Sequence, residues 1–390
     1  MTLYIGVDIT KVTHYAAMTN QHGEILLESF PFQNSKRGFD LFLDSISSFI
    51  DDSNDFIIGF ESTAHYADNF IHFLESNNLF FKVINPLITS SLRASNIRNT
   101  KTDSIDALLI CSALSKESQK VSLHRDESFS EIYSLCCSRG NLIKMRTKAK
   151  IQLVSFMVRI FPELAGYFKN NLHINTSYKL IKEYSLPQSI KKVRIDVLTK
   201  LLTKASHGRY KRDKAIELKK LAEESIGIPS QSFALQAQLA VNQIELYDEQ
   251  IASIEKQLED FVNALDSPLK SIPGLNYVEI ATILSVTNNF NSFDSPSKVL
   301  AYAGLDPVVR QSGKWRARPS RMSKRGNSLL RYTLIWASFN VCKNNKTFMD
   351  YYLKKIKEGK SHYNALGNCA GKLVRVIFKL IKSNESFNLD

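Results

Sequence analysis

What the chain lacks narrows its class first. It holds five cysteines (Cys111, Cys136, Cys137, Cys342 and Cys369), an odd number without a Cys-x-x-Cys spacing. A disulfide framework or a structural zinc site is not expected from that usage, and a reducing cytoplasm fits it. No run of about 18 apolar residues occurs, so no membrane span is expected. Met1-Thr2-Leu3-Tyr4-Ile5 has neither a basic n-region nor a long apolar stretch, and no signal peptide is expected there. Acids are in short supply: 38 aspartates and glutamates face 51 lysines and arginines, a net charge of +13. The resulting pI near 9.3 points to a polyanionic partner, nucleic acid ahead of a membrane surface. A hydrophobic fraction of 44% excludes a disordered chain, and 390 residues at roughly 150 per domain predict two or three domains.

The first 125 residues pattern as an α/β unit. Leu3 to Val7, Thr13 to Met18 and Ile25 to Phe30 read as three strands, with His22-Gly23 as a turn signal. Apolar recurrence from Gly38 to Ile50 predicts a helix. A fourth strand, Phe56 to Phe60, ends at Glu61; a helix follows from Tyr66 to Ser76; a fifth strand, Phe80 to Ile84, is closed by Asn85-Pro86. Asp103 to Leu114 predicts a helix with Thr102 or Asp103 near its cap. Beyond residue 125 the pattern turns helical. Glu131 to Ile160 and Phe233 to Leu265 predict two long helices, paired either as a coiled coil or as an ordinary helical hairpin. Residues 165–215 between them are polar and basic, with helical pieces broken by Pro187 and His207-Gly208. A third part begins near residue 266, where Ile272-Pro273-Gly274 leads into an apolar helix, Val278 to Val286. Such a turn either offers backbone N–H groups to a phosphate or simply connects two helices. The expected division is 1–125, 126–265 and 266–390.

Four carboxylates stand out by position. Asp8 ends the first strand and Glu61 the fourth, while Asp103 and Asp106 share one face at the start of a helix. Acids at strand ends can converge at one edge of a sheet, where they would repel one another without a cation. Hard oxygen ligands select Mg²⁺ or Mn²⁺, and two such ions about 4 Å apart can clamp the attacking and leaving oxygens of a phosphoryl transfer. Taken singly, each acid is equally well a helix-cap or turn residue.

A second constellation is basic. Arg310 to Arg331 contains Arg310, Lys314, Arg316, Arg318, Arg321, Lys324, Arg325 and Arg331 and no acid, with Trp315 interleaved and Gly313, Pro319 and Gly326 as breakers. That composition favours a phosphate-binding loop followed by a helix over a merely solvated face. Arg98 and Lys101, ahead of the paired acids, are further candidate phosphate contacts. Ser312 precedes Gly313-Lys314; a serine is a weak nucleophile unless a base, a metal or cations activate it, and on chemistry alone Ser320, Ser323 and Ser328 are its equals.

These pieces, in order, resemble the DEDD transposases of the insertion-sequence "one-ten" family, which includes Piv-type DNA invertases and bridge-RNA-guided recombinases. The matching residues are Tyr4-Ile5-Gly6-Val7-Asp8 with Lys11, Gly59-Phe60-Glu61-Ser62-Thr63 with Tyr66, Val83-Ile84-Asn85-Pro86 and Lys101-Thr102-Asp103-Ser104-Ile105-Asp106-Ala107. Ile272-Pro273-Gly274, Ala303-Gly304-Leu305-Asp306-Pro307, Ser312-Gly313-Lys314 and Ser323-Lys324-Arg325-Gly326-Asn327 complete the set. The resemblance implies an RNase H-like, resolvase-type N-terminal domain with Asp8, Glu61, Asp103 and Asp106 as catalytic metal ligands, an α-helical coiled-coil middle that mediates assembly, and a mainly α C-terminal transposase domain with Ser312 as nucleophile. It implies donor and target DNA, a structured bridge RNA and a homo-oligomer, dimer or tetramer, as partners, in a prokaryotic, nucleoid-associated setting. The chain departs from the pattern at Ser62-Thr63-Ala64, which leaves the turn after Glu61 without a glycine, and at Asn276, where a second glycine often follows Pro-Gly. Two other readings compete: a metal-dependent, structure-selective endonuclease of the Holliday-junction-resolvase type, which uses only the acids, and a catalytically silent nucleic-acid-binding protein.

Overall fold

Period-two burial builds the sheet of the first unit. In β1 (Thr2–Asp8) Leu3, Ile5 and Val7 face one side, and Tyr4, Gly6 and Asp8 the other. The computed structural model describes residues 2–49, 55–61, 64–84, 86–95, 102–116, 126–307, 311–312, 315–316 and 322–388. The described chain divides into two units, Met1–His124 and Arg125–Asp390.

In the first unit β1 pairs antiparallel with β2 (Thr13–Asn20), which pairs antiparallel with β3 (Ile25–Gln33). After α1 (Lys36–Ser47), β4 (Asp55–Glu61) lies parallel to β1; after α2 (Asp68–Ser76), β5 (Phe81–Ile84) lies parallel to β4. The strand order β3-β2-β1-β4-β5 is compatible with an RNase H-like domain. Leu3, Ile5, Val7, Ile58 and Phe60 pack with Phe39, Phe42 and Ile46 of α1 and Phe70 and Leu74 of α2, forming one core. The other face carries α3 (Pro86–Ser95) and α4 (Asp103–Lys116), through Ile84, Ile88, Leu92, Ile110 and Leu114.

Two details differ from the sequence reading. Pro86 opens α3 rather than only closing the fifth strand, since a proline at a first helical position loses no needed hydrogen bond. The segment from Tyr66 begins as a 3₁₀ turn, Ala64–Ala67, before α2.

The second unit is mostly helical. α5 (Glu127–Ile160) and the later α11 (Gln231–Ala264) run antiparallel, with Phe129 against Phe261 at one end and Phe156 against Phe233 at the other. Between those ends Arg139 pairs with Glu255 at 2.6 Å and Arg146 with Asp248 at 2.5 Å. Part of the basic character of α5 thus serves pairing within the chain. The connection holds α6 (Glu163–Tyr167), α7 (Asn175–Glu183), α8 (Pro187–Lys192), α9 (Ile195–Ala205) and α10 (Arg212–Glu224). Pro187 begins α8 instead of breaking a helix. Leu180, Ile190, Leu198, Leu202 and Leu218 form one hydrophobic cluster with Leu153, Met157, Val241 and Ile244 of the long helices. α12 (Tyr277–Thr287) and α13 (Pro296–Ala303) precede a hairpin, β6 (Gln311–Ser312) and β7 (Trp315–Arg316). The chain ends in α14 (Ser328–Asn344), α15 (Lys346–Lys357) and α16 (His362–Ser383). Among the described residues no helix is long and apolar enough to cross a membrane.

Candidate active site and nucleic-acid interface

Asp8 and Glu61 are the last residues of neighbouring parallel strands. Gly6 pairs with Gly59 and Val7 with Phe60, so the same register sets Asp8 beside Glu61. Val7 and Phe60 point into the α1–α2 core, so alternation sends both carboxylates to the face that α4 covers. Neighbouring strands lie about 4.8 Å apart, a distance at which two carboxylates can share a ligand.

α4 is seated on that face by two glycines. A Cβ at Gly6 would lie 2.2 Å from the Ala107 carbonyl oxygen, and one at Gly59 2.6 Å from Leu114 Cδ2. At Gly6 only glycine lets the helix backbone approach this closely, while at Gly59 the added atom would meet the Leu114 side chain. Cys111 pins the contact: its Sγ accepts from Gly6 N at 3.1 Å and donates to Ala17 O and Tyr4 O. Burial pushes its thiol up to about 12, so it packs as a neutral group. Along α4, Cys111 lies by Tyr4 and Ala107 by Gly6. One more turn toward the helix start carries Asp106 and Asp103 in the direction of Asp8.

Asp103 is exposed in the first turn, behind Thr102, whose hydroxyl accepts from Ile105 N at 3.3 Å. Asp106 is only 7% exposed and accepts from Arg93 Nη2 at 2.7 Å. Arg93 Nε is buried and has no hydrogen-bond partner among the described residues. The sequence reading passed over Arg93, Gly6 and Gly59 as functional positions. The glycines' signal was their place two residues before a strand-end acid; Arg93 carried none. The oxygen donors suit a hard divalent cation by kind and by shared face. Among the described residues, however, no three histidine, cysteine, aspartate or glutamate side chains form a group that could hold a metal ion in this conformation.

The basic constellation lies in the second unit. Ser312 ends β6 and pairs with Trp315 across the hairpin, and Gln311 pairs with Arg316. A bridge between Pro307 and Met322 closes the excursion at its base. Arg310, Lys314, Arg318 and Arg321 lie outside the described residues, as do Arg98 and Lys101. Lys324 and Arg325 are exposed just before α14, whose cap is Asn327, accepting from Leu330 N at 2.9 Å. Arg331 turns inward and donates to Ala303 O at 2.9 Å, so it ties the turn together. Ser323 Oγ donates to Asp306 at 2.5 Å, a structural use of that serine.

The Pro273-Gly274 turn is a connection rather than an anion site. Asn276 caps α12 with its side chain on Glu279 N, while Glu279 accepts from Asn276 N at 3.1 Å. Asn340 Nδ2 donates to the same carboxylate at 2.8 Å, and Gly274, at φ +90°, leaves no room for a Cβ against Asn340 O. A carboxylate already occupies the place a phosphate would take.

Comparison with known proteins follows the same two places. A DEDD-type family profile described as "Transposase" matches residues 5–162, and one described as "Transposase IS116/IS110/IS902 family" matches residues 266–353. The insertion element IS116 uncharacterized 44.8 kDa protein of Streptomyces clavuligerus is 25% identical over 300 residues, covering 74% of this chain and 72% of the relative. The pilin gene-inverting protein of Moraxella lacunata is 22% identical over 392 residues, covering 99% and 97%. The transposase for insertion sequence element IS1111A of Coxiella burnetii is 26% identical over 144 residues, 36% of this chain and 38% of the relative.

Proposed function

The chain belongs to the IS116/IS110/IS902 family of transposases, enzymes that cut and exchange DNA strands, and from that premise we propose a division of the chemistry between its two units. Asp8, Glu61, Asp103 and Asp106 form the acidic site, and Ser312 is the nucleophile. The observation that carries this reading is the parallel register of β1 and β4, which sets Asp8 beside Glu61 on the face covered by α4.

The acids would hold Mg²⁺ or Mn²⁺, which supplies charge neutralisation at the transferring phosphoryl group. Arg93 holds one oxygen of Asp106, so Asp106 would join such a set through its other oxygen or by displacing the guanidinium. Ser312 Oγ attacks a backbone phosphorus and gives up its proton, the serine–phosphate bond forms, and the P–O3′ bond breaks, the leaving oxygen taking up a proton to become a free 3′ hydroxyl. Attack by a 3′ hydroxyl of the exchanging strand reverses these changes and frees the serine. The phosphodiester energy is kept, so rejoining needs no outside energy source. Arg316, Lys324 and Arg325, with Arg310, Lys314, Arg318 and Arg321, would hold the phosphate backbone, and Arg98 and Lys101 would do so near the acids. A structured RNA as the choice of target and a homo-oligomer of two or four chains extend this reading. Exposed apolar stripes on the long helices, Ile151, Val154 and Val158 on α5 and Leu235, Leu239 and Leu246 on α11, support assembly.

The test is strand cleavage of the element-end DNA with Mg²⁺. Asp8→Asn and Glu61→Gln should each abolish cleavage while duplex binding persists. Cleavage that survives in both variants removes the acids from the chemistry.

A further inference from the structure

Beyond the acids, the serine and the basic loop, the second unit carries a row of aromatic rings that its core does not need. On α14 Tyr332 is 60% exposed and Trp336 45%, with ring centroids 6.1 Å apart. Trp336 meets Phe339 edge-on at 5.8 Å. Phe339 meets His362 at 6.1 Å, and His362 meets Tyr363, 72% exposed, at 5.3 Å. The row crosses from the exposed face of α14 to the start of α16. Lys343 Nζ sits 4.0 Å from the centroid of Phe339, and Tyr352 fixes the His362 ring through a 2.8 Å hydrogen bond.

On α14 and α16 the charge has one sign, and of the two acids near α15, Asp350 and Glu358, the second is paired with Lys355. No aspartate or glutamate occurs between Asp306 and Asp350, a stretch that contains the Ser312 hairpin and all of α14. α16 likewise has none, while it carries Lys372, Arg375, Lys379 and Lys382. Lys324 and Arg325 are exposed one to two turns before Tyr332. An apolar protein partner needs no such exclusion of acids. Rings spaced along a cationic surface match a strand whose bases are unpaired, because every base has a stacking face and every linkage a phosphate.

We propose that Tyr332, Trp336 and Tyr363 form a stacking platform for an unpaired DNA strand, the strand released between cleavage and rejoining. This rests on the strand-exchange reading above. Tyr332 and Trp336 lie on the same acid-free stretch as Ser312, and the platform holds bases by ring stacking rather than by edge hydrogen bonds, so it is indifferent to sequence.

The experiment uses the full chain with Trp315→Phe, which leaves Trp336 as the sole indole. Oligodeoxythymidylate should quench its fluorescence. Trp336→Ala and Tyr332→Ala should each weaken oligodeoxythymidylate binding, by about 5- to 150-fold if each ring carries one base. Trp336→Phe should keep most of the affinity, and blunt duplex should bind all variants alike with an unchanged salt slope. Unchanged affinity for the unpaired strand in both alanine variants overturns the platform. So does an equal loss on duplex, a response to oligouridylate but not oligodeoxythymidylate, or conversion of an oligomer to monomer with nucleic-acid affinity intact. Strand cleavage by the wild-type chain is measured alongside. Cleavage with unaffected thymidylate binding sinks the platform alone, and absent cleavage with ring-dependent binding sinks the catalytic reading alone.

Discussion

At the residue scale the acidic site is a problem in charge. Asp106 is buried beside the Arg93 guanidinium, which supplies positive charge where the proposed chemistry needs a cation. Arg93→Ala leaves that carboxylate without its partner and should lower stability by about 1–3 kcal/mol. Mn²⁺ should then raise the melting temperature of the variant more than that of the wild type; equal shifts would show that Arg93 and the cation do not compete. His14 gives a separate handle. Its ring is enclosed by Phe32, Phe39 and Phe70, its Nδ1 accepts from Thr10 N, and burial lowers its pKa from 6.5 to about 4. The fold holds it neutral, so its contribution is complete above pH 6.5 and is lost as the pH falls toward 4. The loss amounts to about 3 kcal/mol. Protection of the β1 and β2 amides, corrected for the intrinsic exchange rate, should fall from pH 7 to 4, and His14→Phe should reduce that fall; an unaltered profile would place the acid sensitivity elsewhere. The positions of the four acids, at two strand ends and one helix start, were legible in the sequence because these are local features. Arg93 was not, because its meeting with Asp106 is made by two helices folding onto the same sheet face.

At the element scale the decisive contact is α4 on the sheet. Gly6→Ala would drive a Cβ to 2.2 Å from a backbone oxygen of α4, which cannot rotate away. The helix must lift, at a cost of about 1–3 kcal/mol, and take Asp103 and Asp106 with it. Strand cleavage should fall sharply. Gly140→Ala on α5 meets nothing within 4 Å, and unfolding should show it neutral or more stable by about 0.5–1 kcal/mol. If both substitutions behaved alike, the close seat of α4 would carry no function. Hydrophobic periodicity made the five strands and the long helices legible, since α5 and α11 repeat apolar residues over many turns. It did not separate a coiled coil from a hairpin, because both bury the same stripe; Phe129 against Phe261 and Phe156 against Phe233 show pairing within the chain. Residues 165–215 read as polar and basic, yet Leu180, Ile190, Leu198 and Leu202 make a core with the long helices. Their apolar positions are spread over short helices, so no single window carries the pattern. The Pro273-Gly274 turn shows the converse: its spacing admits an anion site, and only the meeting of Glu279 with Asn340, 61 residues on, closes it.

At the scale of the whole molecule the net charge of +13 is distributed unevenly, with an acid-free stretch running from the Ser312 hairpin through α14. Replacing Arg316, Arg318 and Arg321 together should reduce the slope of log affinity against log salt by about 0.7–0.9 for each phosphate no longer neutralised. An unchanged slope would move the DNA surface off this segment. The acids and the serine lie in different units, and their joint action is the central claim. It is tested most directly by incubating the full chain with end-labelled element DNA and Mg²⁺, denaturing the mixture, and mapping any protein-linked strand by peptide mass. The account predicts a 5′-phosphate adduct on Ser312 that is absent in both Ser312→Ala and Asp8→Asn. DNA cut by the wild-type chain with no protein attached would contradict it.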